Sequence, residues 1–443
     1  MSSNSLVAQS RPSTLRIAIV SLLSTSIEWY DFNLYGNAAA IAFPAVFFPN
    51  MDPLIATLLS FGTFSVAFIA RPIGGAYFGN LGDKIGRKRA LNVSLLAMGI
   101  GTAGIGLLPP ASSIGILAPT LLVILRFLQG LSLGGQWGGA VLIAIENAPQ
   151  GKRGFYGSFA QMGNPIGLLL ATLFFLIFTL LLPHSQFLAW GWRVPFLLGG
   201  ALVVVAWLAQ RQLEETVAFE HVKETHHQAR VPVLEAFKKY HKVIALVAGG
   251  YIIVTGGVYI TITYMLAYGT TIGIPSSTIL NASLIASFLI IFTHVGNAML
   301  SDRLGRKKVF LTGVVLTGLW GFPMFLLVNT KVPGLVIIAI VVSALVQSMM
   351  YGPLAAFFAE SFTPEVRYSG VSVGVQIGSI LGGAFAPIIA SALYAATKSW
   401  VPIAIYFVAL AVVSLVAVSL MPETYQRDVI AVEGEDAAGV LPG

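Results

Sequence analysis

The sequence predicts an all-α membrane protein in which twelve transmembrane helices form two pseudo-symmetric six-helix bundles. Hydrophobic residues make up 56% of the 443 positions and charged residues only 10%, whereas about a quarter of an ordinary soluble protein is charged. Apolar runs of roughly 20 residues, the length that crosses about 30 Å of hydrocarbon as a helix, recur along the chain. A polar loop motif occurs twice, which indicates that the two halves are copies of one unit.

Each predicted span is an apolar run bounded by polar or turn-forming residues. The twelve runs are residues 17–39, 54–79, 90–108, 117–144, 156–182, 193–210, 243–268, 278–300, 309–328, 334–359, 369–396 and 401–421. The first run carries Glu28 and Asp31 and lacks a small-residue cleavage site, so we interpret it as a retained helix and not as a signal peptide.

Two polar segments repeat between the halves. Residues 79–91 (GNLGDKIGRKRAL) and 296–309 (GNAMLSDRLGRKKV) are near copies of each other, about 219 residues apart. Residues 146–153 (ENAPQGKR) and 360–367 (ESFTPEVR) share the spacing from Glu to Arg. Two parallel six-helix halves, related by an axis along the membrane normal, are typical of one large class of membrane transporters.

The distribution of cations predicts the orientation. With twelve spans, 20 of the 25 Lys and Arg residues fall on one side of the membrane, which the positive-inside rule assigns to the cytoplasm. The net charge of +7 then reflects loops that face an anionic inner leaflet, and it does not indicate nucleic-acid binding. Both termini are expected in the cytoplasm, and the absence of cysteine fits a bacterial inner-membrane protein.

The chain divides at its longest polar stretch. We predict an N-terminal tail (1–16), a first bundle (17–210), a cytoplasmic linker (211–242), a second bundle (243–421) and a C-terminal tail (422–443). The linker has eleven charges in 32 residues and a pattern that suits amphipathic helices on the membrane surface. Its His226 and His227 point apart on a helix and have no companion ligands, so no metal site is predicted.

Several chemistries have no support in the sequence. No Gly-x-x-x-x-Gly-Lys-Ser/Thr loop that would bind ATP is present, and the loops carry no nucleophile with a neighbouring base. The sequence therefore predicts no enzyme activity and no cofactor, and any uphill transport would take its energy from a gradient.

Ionisable residues inside the spans are candidate functional residues, because each costs roughly 2.5–3.5 kcal/mol on insertion scales. Glu28, Asp31 and Tyr35 share one face of the first span, and Arg126 in the fourth reaches a depth similar to that of Asp31. A carboxylate held by Arg126 stays ionised, and it takes up a proton when the arginine turns to an anionic substrate. The alternative is a static ion pair that fixes two helices.

Arg71 in the second span has two interpretations. It is a candidate ligand for a substrate carboxylate, or an anchor that extends toward the membrane surface near Asp83. His294 in the eighth span has two candidate roles, a proton relay and a helix-end hydrogen bond, and we expect the hydrogen bond. Neutral polar residues supply a candidate cavity lining: Gln129, Gln136, Gln161, Asn164, Tyr259, Tyr264, Gln347, Tyr351 and Gln376. Each of these side chains suits a bridge between helices equally well.

The loop motif resembles the signature of the major facilitator superfamily. The matching residues are Gly79, Leu81, Asp83, Gly86, Arg87, Lys88 and Leu91, with a looser second copy at Asp302, Gly305, Arg306, Lys307 and Lys308. The resemblance implies that Asp83 and Arg87 bridge helices on the cytoplasmic side and that Arg126, with Gln129, serves proton coupling. It also implies a charge relay, similar to that of sugar porters, at Glu146, Arg153, Glu360 and Arg367.

Within that superfamily, further segments resemble the metabolite:proton symporter family. These are residues 28–36 (EWYDFNLYG), 70–75 (ARPIGG), 133–140 (LGGQWGGA), 190–196 (WGWRVPF) and 366–370 (VRYSG). The chain departs from the family pattern at Gln136, where a Glu is usual, so any proton role of that Glu passes to Asp31 or Glu28. Members move shikimate, 2-oxoglutarate, citrate, other carboxylates, or proline and glycine betaine.

The resemblance implies proton-coupled uptake of a small carboxylate by alternating access, in a chain that functions as a monomer in the lipid bilayer. Arg126 and Arg71 would face the carboxylate, and Asp31 would carry the proton. The alternatives are uptake of a zwitterionic osmolyte and proton-antiport export, which share the fold and the loop motif. A membrane sensor is a further alternative, but it would need a larger soluble output domain.

The two copies of the loop motif differ in quality, which yields a first prediction. Asp83 belongs to the copy that matches the signature closely, and Asp302 to the looser copy. We therefore expect Asp83→Asn to lower the transport rate more than Asp302→Asn, measured as uptake into proteoliposomes at equal protein content. An equal loss in the two variants would contradict this asymmetry.

Overall fold

The structure, a computed structural model, describes residues 14–85, 87–134, 153–211, 232–362 and 367–424. These residues are helical with short connections and contain no strand. Their long helices are α1 (Thr14–Ile41), α2 (Pro53–Ile85), α3 (Arg87–Leu107), α4 (Leu117–Gly134), α5 (Arg153–Leu181), α6 (Arg193–Arg211), α7 (Pro232–Val258), α8 (Ser276–Leu304), α9 (Arg306–Asn329), α10 (Pro333–Ala359), α11 (Arg367–Ser379) and α12 (Val401–Leu420).

Two helices continue through π-helical turns. α7 runs on as a π-helix, Tyr259–Tyr264, and then as Met265–Thr271, while α11 runs on as Ile380–Ala384 and then as Ala386–Thr397. Short helices Phe43–Phe47, Ala111–Ile114 and His184–Gln186, with a π-helical turn Phe187–Gly191, connect other elements. π-helical turns often occur at functional sites, and both continuations lie where the two halves meet.

Each predicted span corresponds to one of the twelve long helices. Among the described residues, ten helices are long and apolar enough to cross a membrane, and Asn92–Leu107 is a shorter apolar helix. The seventh helix begins earlier than predicted, at Pro232, and its backbone is kinked at Tyr240. Most of the predicted linker, residues 212–231, lies outside the described residues.

The two halves repeat the same helix contacts. In the first half α1 packs against α5, and in the second α7 packs against α11. Gly163 and Gly167 face α1, where an added Cβ would lie 2.1 Å from Thr25 and 2.5 Å from the nitrogen of Tyr30. Gly378 and Gly382 face α7 at similarly short distances. This pair of glycines four residues apart in each half lets the backbones approach closely.

The halves contact each other away from the repeated loops. We call the side with residues 79–91 and 296–309 the motif face, and the other side the opposite face. Toward the opposite face, Ser65 of α2 hydrogen bonds the carbonyl oxygen of Ala384 at 2.5 Å, and the Tyr259 ring packs edge-on against Phe64 and Phe68 at 5.2 and 5.4 Å. These contacts bring the two halves together on that side.

One glycine in the second motif copy has a backbone conformation that other residues rarely adopt. Gly305, between α8 and α9, has φ 103° and ψ 146°. A Cβ atom there would also lie 2.6 Å from a carboxylate oxygen of Glu423. That carboxylate accepts hydrogen bonds from the backbone nitrogens of Arg306 and Lys307 at 3.0 and 3.3 Å, so it caps the start of α9.

A second prediction follows from this conformation. Gly305→Ala should lower the thermal unfolding midpoint of the detergent-solubilised protein, because the substituted backbone is strained by about 1–3 kcal/mol and the methyl group displaces Glu423. Gly296→Ala is the matched control in the same motif, since no atom lies within 4 Å of the added Cβ. A loss of the same size in Gly296→Ala would contradict the prediction.

Candidate functional site

A buried ion pair joins two helices of the first half. Asp31 on α1 is 1% exposed and Arg126 on α4 is 0% exposed, and Asp31 Oδ2 lies 3.7 Å from Arg126 Nη1. Asp31 Oδ1 accepts hydrogen bonds from Thr102 Oγ1 of α3 at 2.6 Å and from Gln129 Nε2 at 2.8 Å. Arg126 Nη1 donates to Gln129 Oε1 at 3.0 Å. Helices α1, α3 and α4 therefore meet at one carboxylate.

The hydrogen bonds of this ion pair are incomplete. In the described part of the chain, Asp31 Oδ2 and the Nε and Nη2 atoms of Arg126 are buried without a hydrogen-bond partner. A buried polar atom without a partner costs about 1–3 kcal/mol, and such exceptions call for an explanation. The arrangement leaves Arg126 able to bind a further acceptor and Asp31 able to accept a proton on Oδ2.

Two guanidinium groups share one aromatic ring. The Cζ atoms of Arg71 and Arg126 lie 4.1 and 4.4 Å from the ring centroid of Phe32. Arg126 Cζ is also 4.0 Å from the Tyr35 ring, and Arg71 Cζ is 5.1 Å from the Phe68 ring. A cation is attracted to the face of an aromatic ring by roughly 0.5–2 kcal/mol. The rings hold both cations in place without neutralising them.

Close packing between α2 and α4 brings Arg71 near Arg126. A Cβ atom on Gly134 would lie 2.0 Å from the carbonyl oxygen of Arg71, and one on Gly130 would lie 2.5 Å from that of Ala67. Any larger residue would force the helices apart. The glycines that follow Arg126 in the sequence thus determine the position of the second arginine.

A group of five residues, which we call the central site, lies between the halves. Arg71 is 8% exposed, and its Nε atom has no hydrogen-bond partner among the described residues. It interacts electrostatically with Glu28 of α1. Tyr251 and Tyr259 of the seventh span and Tyr351 of α10 also lie within electrostatic range of Arg71. One cation of the first half, with a carboxylate near it, therefore lies within electrostatic range of three phenol groups of the second half.

Further polar residues of the second half lie next to the tyrosines of the central site. Tyr251 hydrogen bonds Ser379 of α11. Gln376, on the same face as Ser379, has a buried Oε1 atom without a partner in the described residues. The His294 ring stacks on Tyr351, with centroids 5.2 Å apart and planes 17° apart.

The prediction that His294 makes a helix-end hydrogen bond is wrong. His294 lies in the middle of α8 and is 2% exposed, because α8 packs along α5 of the other half. Its imidazole hydrogen bonds the main chain of Gln161, and Nδ1 has no partner among the described residues. The histidine therefore lies at the boundary between the halves and not at the membrane surface.

The second half has an uncharged hydrogen-bond network where the first half has an ion pair. Thr261 Oγ1 and Ser343 Oγ are 3.0 Å apart, and Gln347 Nε2 donates to both of them at 3.0 and 2.8 Å. Ser343 and Gln347 lie on α10, the counterpart of α4 with its Arg126 and Gln129. The ion pair of the first half thus corresponds to uncharged groups at this place in the second half.

Some predicted lining residues contribute to the packing within one half. Tyr264 stacks on Tyr268 at 5.9 Å and does not reach the central site. Gln129 and Gln347 belong to the two networks described above, and Tyr35 donates a hydrogen bond to Thr63 at 2.7 Å.

The remaining lining residues have mixed positions. Gln161 and Asn164 are buried on α5, at 3% and 6% exposure. Gln136 lies outside the described residues. Arg71 is buried between the Phe32 and Phe68 rings.

The sequence reasoning missed four residues that the structure places at these groups. Phe32 and Thr102 surround the first-half charges, while Tyr251 and Ser379 belong to the second half. Tyr251 had a usable signal, since residues 251, 255 and 259 share one helix face. No sequence signal pointed to Thr102, because a lone threonine in an apolar span is common.

At the motif face, the structure describes the side chains of the second copy. Arg306 Nε donates to Glu360 Oε2 at 2.6 Å, and its Nη1 lies 3.1 Å from Asp302 Oδ1. Thr424 donates to the same Glu360 oxygen at 2.7 Å. These contacts join the ends of α8 and α10 to the start of α9. The side chains of the other predicted gating residues, namely Asp83, Arg87, Glu146, Arg153 and Arg367, lie outside the described part.

The hydrogen bonds to Asp31 yield a third prediction. Thr102→Val removes one donor to Asp31 Oδ1 and should destabilise the protein by about 1–2 kcal/mol, measured as a lower thermal unfolding midpoint in detergent. Thr172→Val is the control, because the Thr172 hydroxyl is equally buried and has no partner among the described residues. Equal midpoints for the two variants would contradict the assigned hydrogen bond.

Comparison with known families and proteins agrees with the described fold. Residues 17–248 match the model of the sugar (and other) transporter family, and residues 247–440 match that of the major facilitator superfamily. The proton:xylose symporter XylE, solved with 6-bromo-6-deoxy-D-glucose, aligns with a TM-score of 0.73 at 16% identity over 93% of this chain and 96% of that one. At this identity the likeness shows the fold.

Curated bacterial proteins are similar over nearly the whole chain. The shikimate transporter of Escherichia coli (strain K12) is 38% identical over 92% of this chain and 94% of its own length. The inner membrane metabolite transport protein YhjE of the same strain is 40% identical over the same shares, and its proline/betaine transporter is 34% identical over 93% of this chain and 84% of its own length. The chain therefore belongs to the major facilitator superfamily, among the metabolite transporters that its sequence motifs resemble, and it is a multi-pass membrane transporter and not an enzyme.

Proposed function

We propose that this metabolite transporter takes up a small carboxylate together with a proton. The observation that carries the proposal is the incompletely satisfied ion pair, in which Asp31 Oδ2 and two nitrogens of Arg126 are buried without hydrogen-bond partners in the described residues. A static structural pair would gain stability by satisfying those atoms. A pair that exchanges partners during a transport cycle needs them available.

The proton step takes place at Asp31. The positive charge of Arg126 and the hydrogen bonds from Thr102 and Gln129 stabilise the ionised form of this carboxylate against the cost of its burial. A proton on Oδ2 removes the negative charge, and Arg126 then has no counter-ion in contact. The positive charge of Arg126 becomes available to an anion.

The substrate step takes place at Arg71, with Arg126 close by. The two guanidinium carbons approach the same Phe32 ring, so their charges repel each other when no anion is present. A bound carboxylate relieves that repulsion, and its own charge opposes ionisation of Asp31. Because such coupling is reciprocal, the proton and the anion each favour binding of the other.

Alternating access would connect this site to one side of the membrane at a time. We assign the motif face to the cytoplasm from the cation distribution. On that face, the helix ends would be held together by the network of Asp302, Arg306 and Glu360, with the corresponding first-half residues. The chain would complete the cycle as a monomer.

A zwitterionic osmolyte is the second candidate. Glu28 and Arg71 lie near each other in the central site, so an ammonium group and a carboxylate could each find an opposite charge. Relatives at 34% identity include a proline/betaine transporter.

A fourth prediction tests the proton step. With purified protein in proteoliposomes, an imposed inward proton gradient should drive accumulation of one of the labelled acids shikimate, 2-oxoglutarate or citrate. Asp31→Asn should abolish accumulation, by at least about 10-fold, and retain exchange of labelled for unlabelled acid, because the site persists without its proton carrier. Asp52→Asn removes a carboxylate in the loop before α2, and it serves as the control that should keep both activities.

Several outcomes would contradict the proposal. Gradient-driven accumulation that survives in Asp31→Asn would remove Asp31 from the proton step. Accumulation of glycine betaine or proline, with no acid driven, would favour the osmolyte function. Acid efflux driven by proton entry would identify an exporter.

A further inference from the structure

The charges that the transporter can offer to a substrate all come from one half. In the second half, residues 243–301, 309–330, 332–359, 368–397 and 399–422 contain no Asp, Glu, Lys or Arg. The spans of the first half contain Glu28, Asp31, Arg71 and Arg126, with Arg193 at the end of α6. Arg193 donates to the carbonyl oxygen of Leu108 at 2.9 Å and stacks on Trp192, away from the central site.

Neutral polar groups are what the second half presents. The Tyr259 hydroxyl, 2% exposed as a residue, has no hydrogen-bond partner in the described residues, and the same holds for Gln376 Oε1 and His294 Nδ1. Tyr251 and Tyr351 lie in the same group, within electrostatic range of Arg71. In their neutral forms these groups donate or accept single hydrogen bonds and do not balance a full charge.

We propose that the substrate is a compact monocarboxylate with several hydroxyl groups. Its carboxylate lies at Arg71 in the first half, and its hydroxyl groups meet Tyr259, Gln376 and His294 of the second half. The inference rests on the proposed function for the location of the site, and it specifies the class of acid that the site accepts.

Substrates with two or three carboxylates fit this division poorly. A second carboxylate would face the uncharged half or lie beside Glu28, and burial of an unpaired charge is strongly unfavourable. Once Asp31 is protonated, Arg126 lies beside the same Phe32 ring as Arg71, so both cations serve the first-half end of the ligand and the second half still offers no cation to a further carboxylate.

A quaternary ammonium group also lacks a place. Recognition of such a group relies on open aromatic faces. The Phe32 and Phe68 rings near Glu28 already contact the guanidinium of Arg71, and Phe64 lies 5.2 Å from that of Arg126. The Tyr259 ring packs against Phe64 and Phe68, which leaves its hydroxyl as the group available to a ligand.

Binding to the purified full-length protein tests the inference. Five probes are compared by isothermal titration: shikimate and gluconate as hydroxylated monocarboxylates, benzoate as a monocarboxylate without hydroxyl groups, citrate, and glycine betaine. We expect shikimate or gluconate to bind at least about 10-fold more tightly than the other three, because each well-placed hydrogen bond contributes roughly this factor.

Two matched variants test whether Tyr259 hydrogen bonds the hydroxyl groups of the substrate. Tyr259→Phe retains the ring packing and removes one hydroxyl, so it should weaken shikimate or gluconate binding about 10-fold and change benzoate binding less than about 2-fold. Tyr264→Phe is the control, because its hydroxyl is also buried without a partner in the described residues but its ring stacks on Tyr268, away from Arg71. It should change neither.

The outcomes separate this inference from the transport proposal. Equal or tighter binding of citrate or glycine betaine, no binding of either hydroxylated acid, or equal effects of the two tyrosine variants would each overturn the substrate class. Selective binding of a hydroxylated acid that no proton gradient can accumulate would support the class and contradict proton coupling. Accumulation of citrate driven by a proton gradient would support proton coupling and contradict the substrate class.

Discussion

The cost of burying charge inside the membrane is the constraint on which this structure depends. Asp31 and Arg126 would each cost several kcal/mol in hydrocarbon, and the first half is built to hold them: Thr102 and Gln129 donate to the carboxylate, and aromatic rings cover the guanidinium. The glycines of α4 let α2 approach, which brings a second cation to the same cluster. These devices hold the charges and leave some of their atoms without hydrogen-bond partners among the described residues, and those are the atoms that the proposed proton and anion steps use.

The duplicated halves have diverged in charge while they retain their backbone contacts. Glycines four residues apart mediate the α1–α5 and α7–α11 packing alike. The position that the ion pair occupies in the first half corresponds in the second to the neutral network of Thr261, Ser343 and Gln347. A neutral network has no ionisation to couple, so the second half suits the role of a partner surface that recognises the neutral part of a ligand.

Spans, repeat and family could be predicted from the sequence because apolar runs and loop motifs are local signals. The approach of Asp31 to Arg126 was also accessible, since depth along two helices follows from residue counts. The rotation of each helix about its own axis could not be predicted from the sequence. That rotation determines that Tyr259 reaches the central site while Tyr264 stacks within the second half. His294 shows the same limit, because its neighbours come from α5 and α10, far away in sequence.

The contacts toward the opposite face bring the two halves together beside the central site. Phe64 and Phe68 of α2 pack on Tyr259, and Ser65 hydrogen bonds Ala384 in the π-helical turn of α11. Tyr259 therefore belongs both to this contact between the halves and to the central site. In the proposed transport cycle, a ligand that recruits the Tyr259 hydroxyl would act directly on a contact that separates when the opposite face opens, so binding and the change of access would share one side chain.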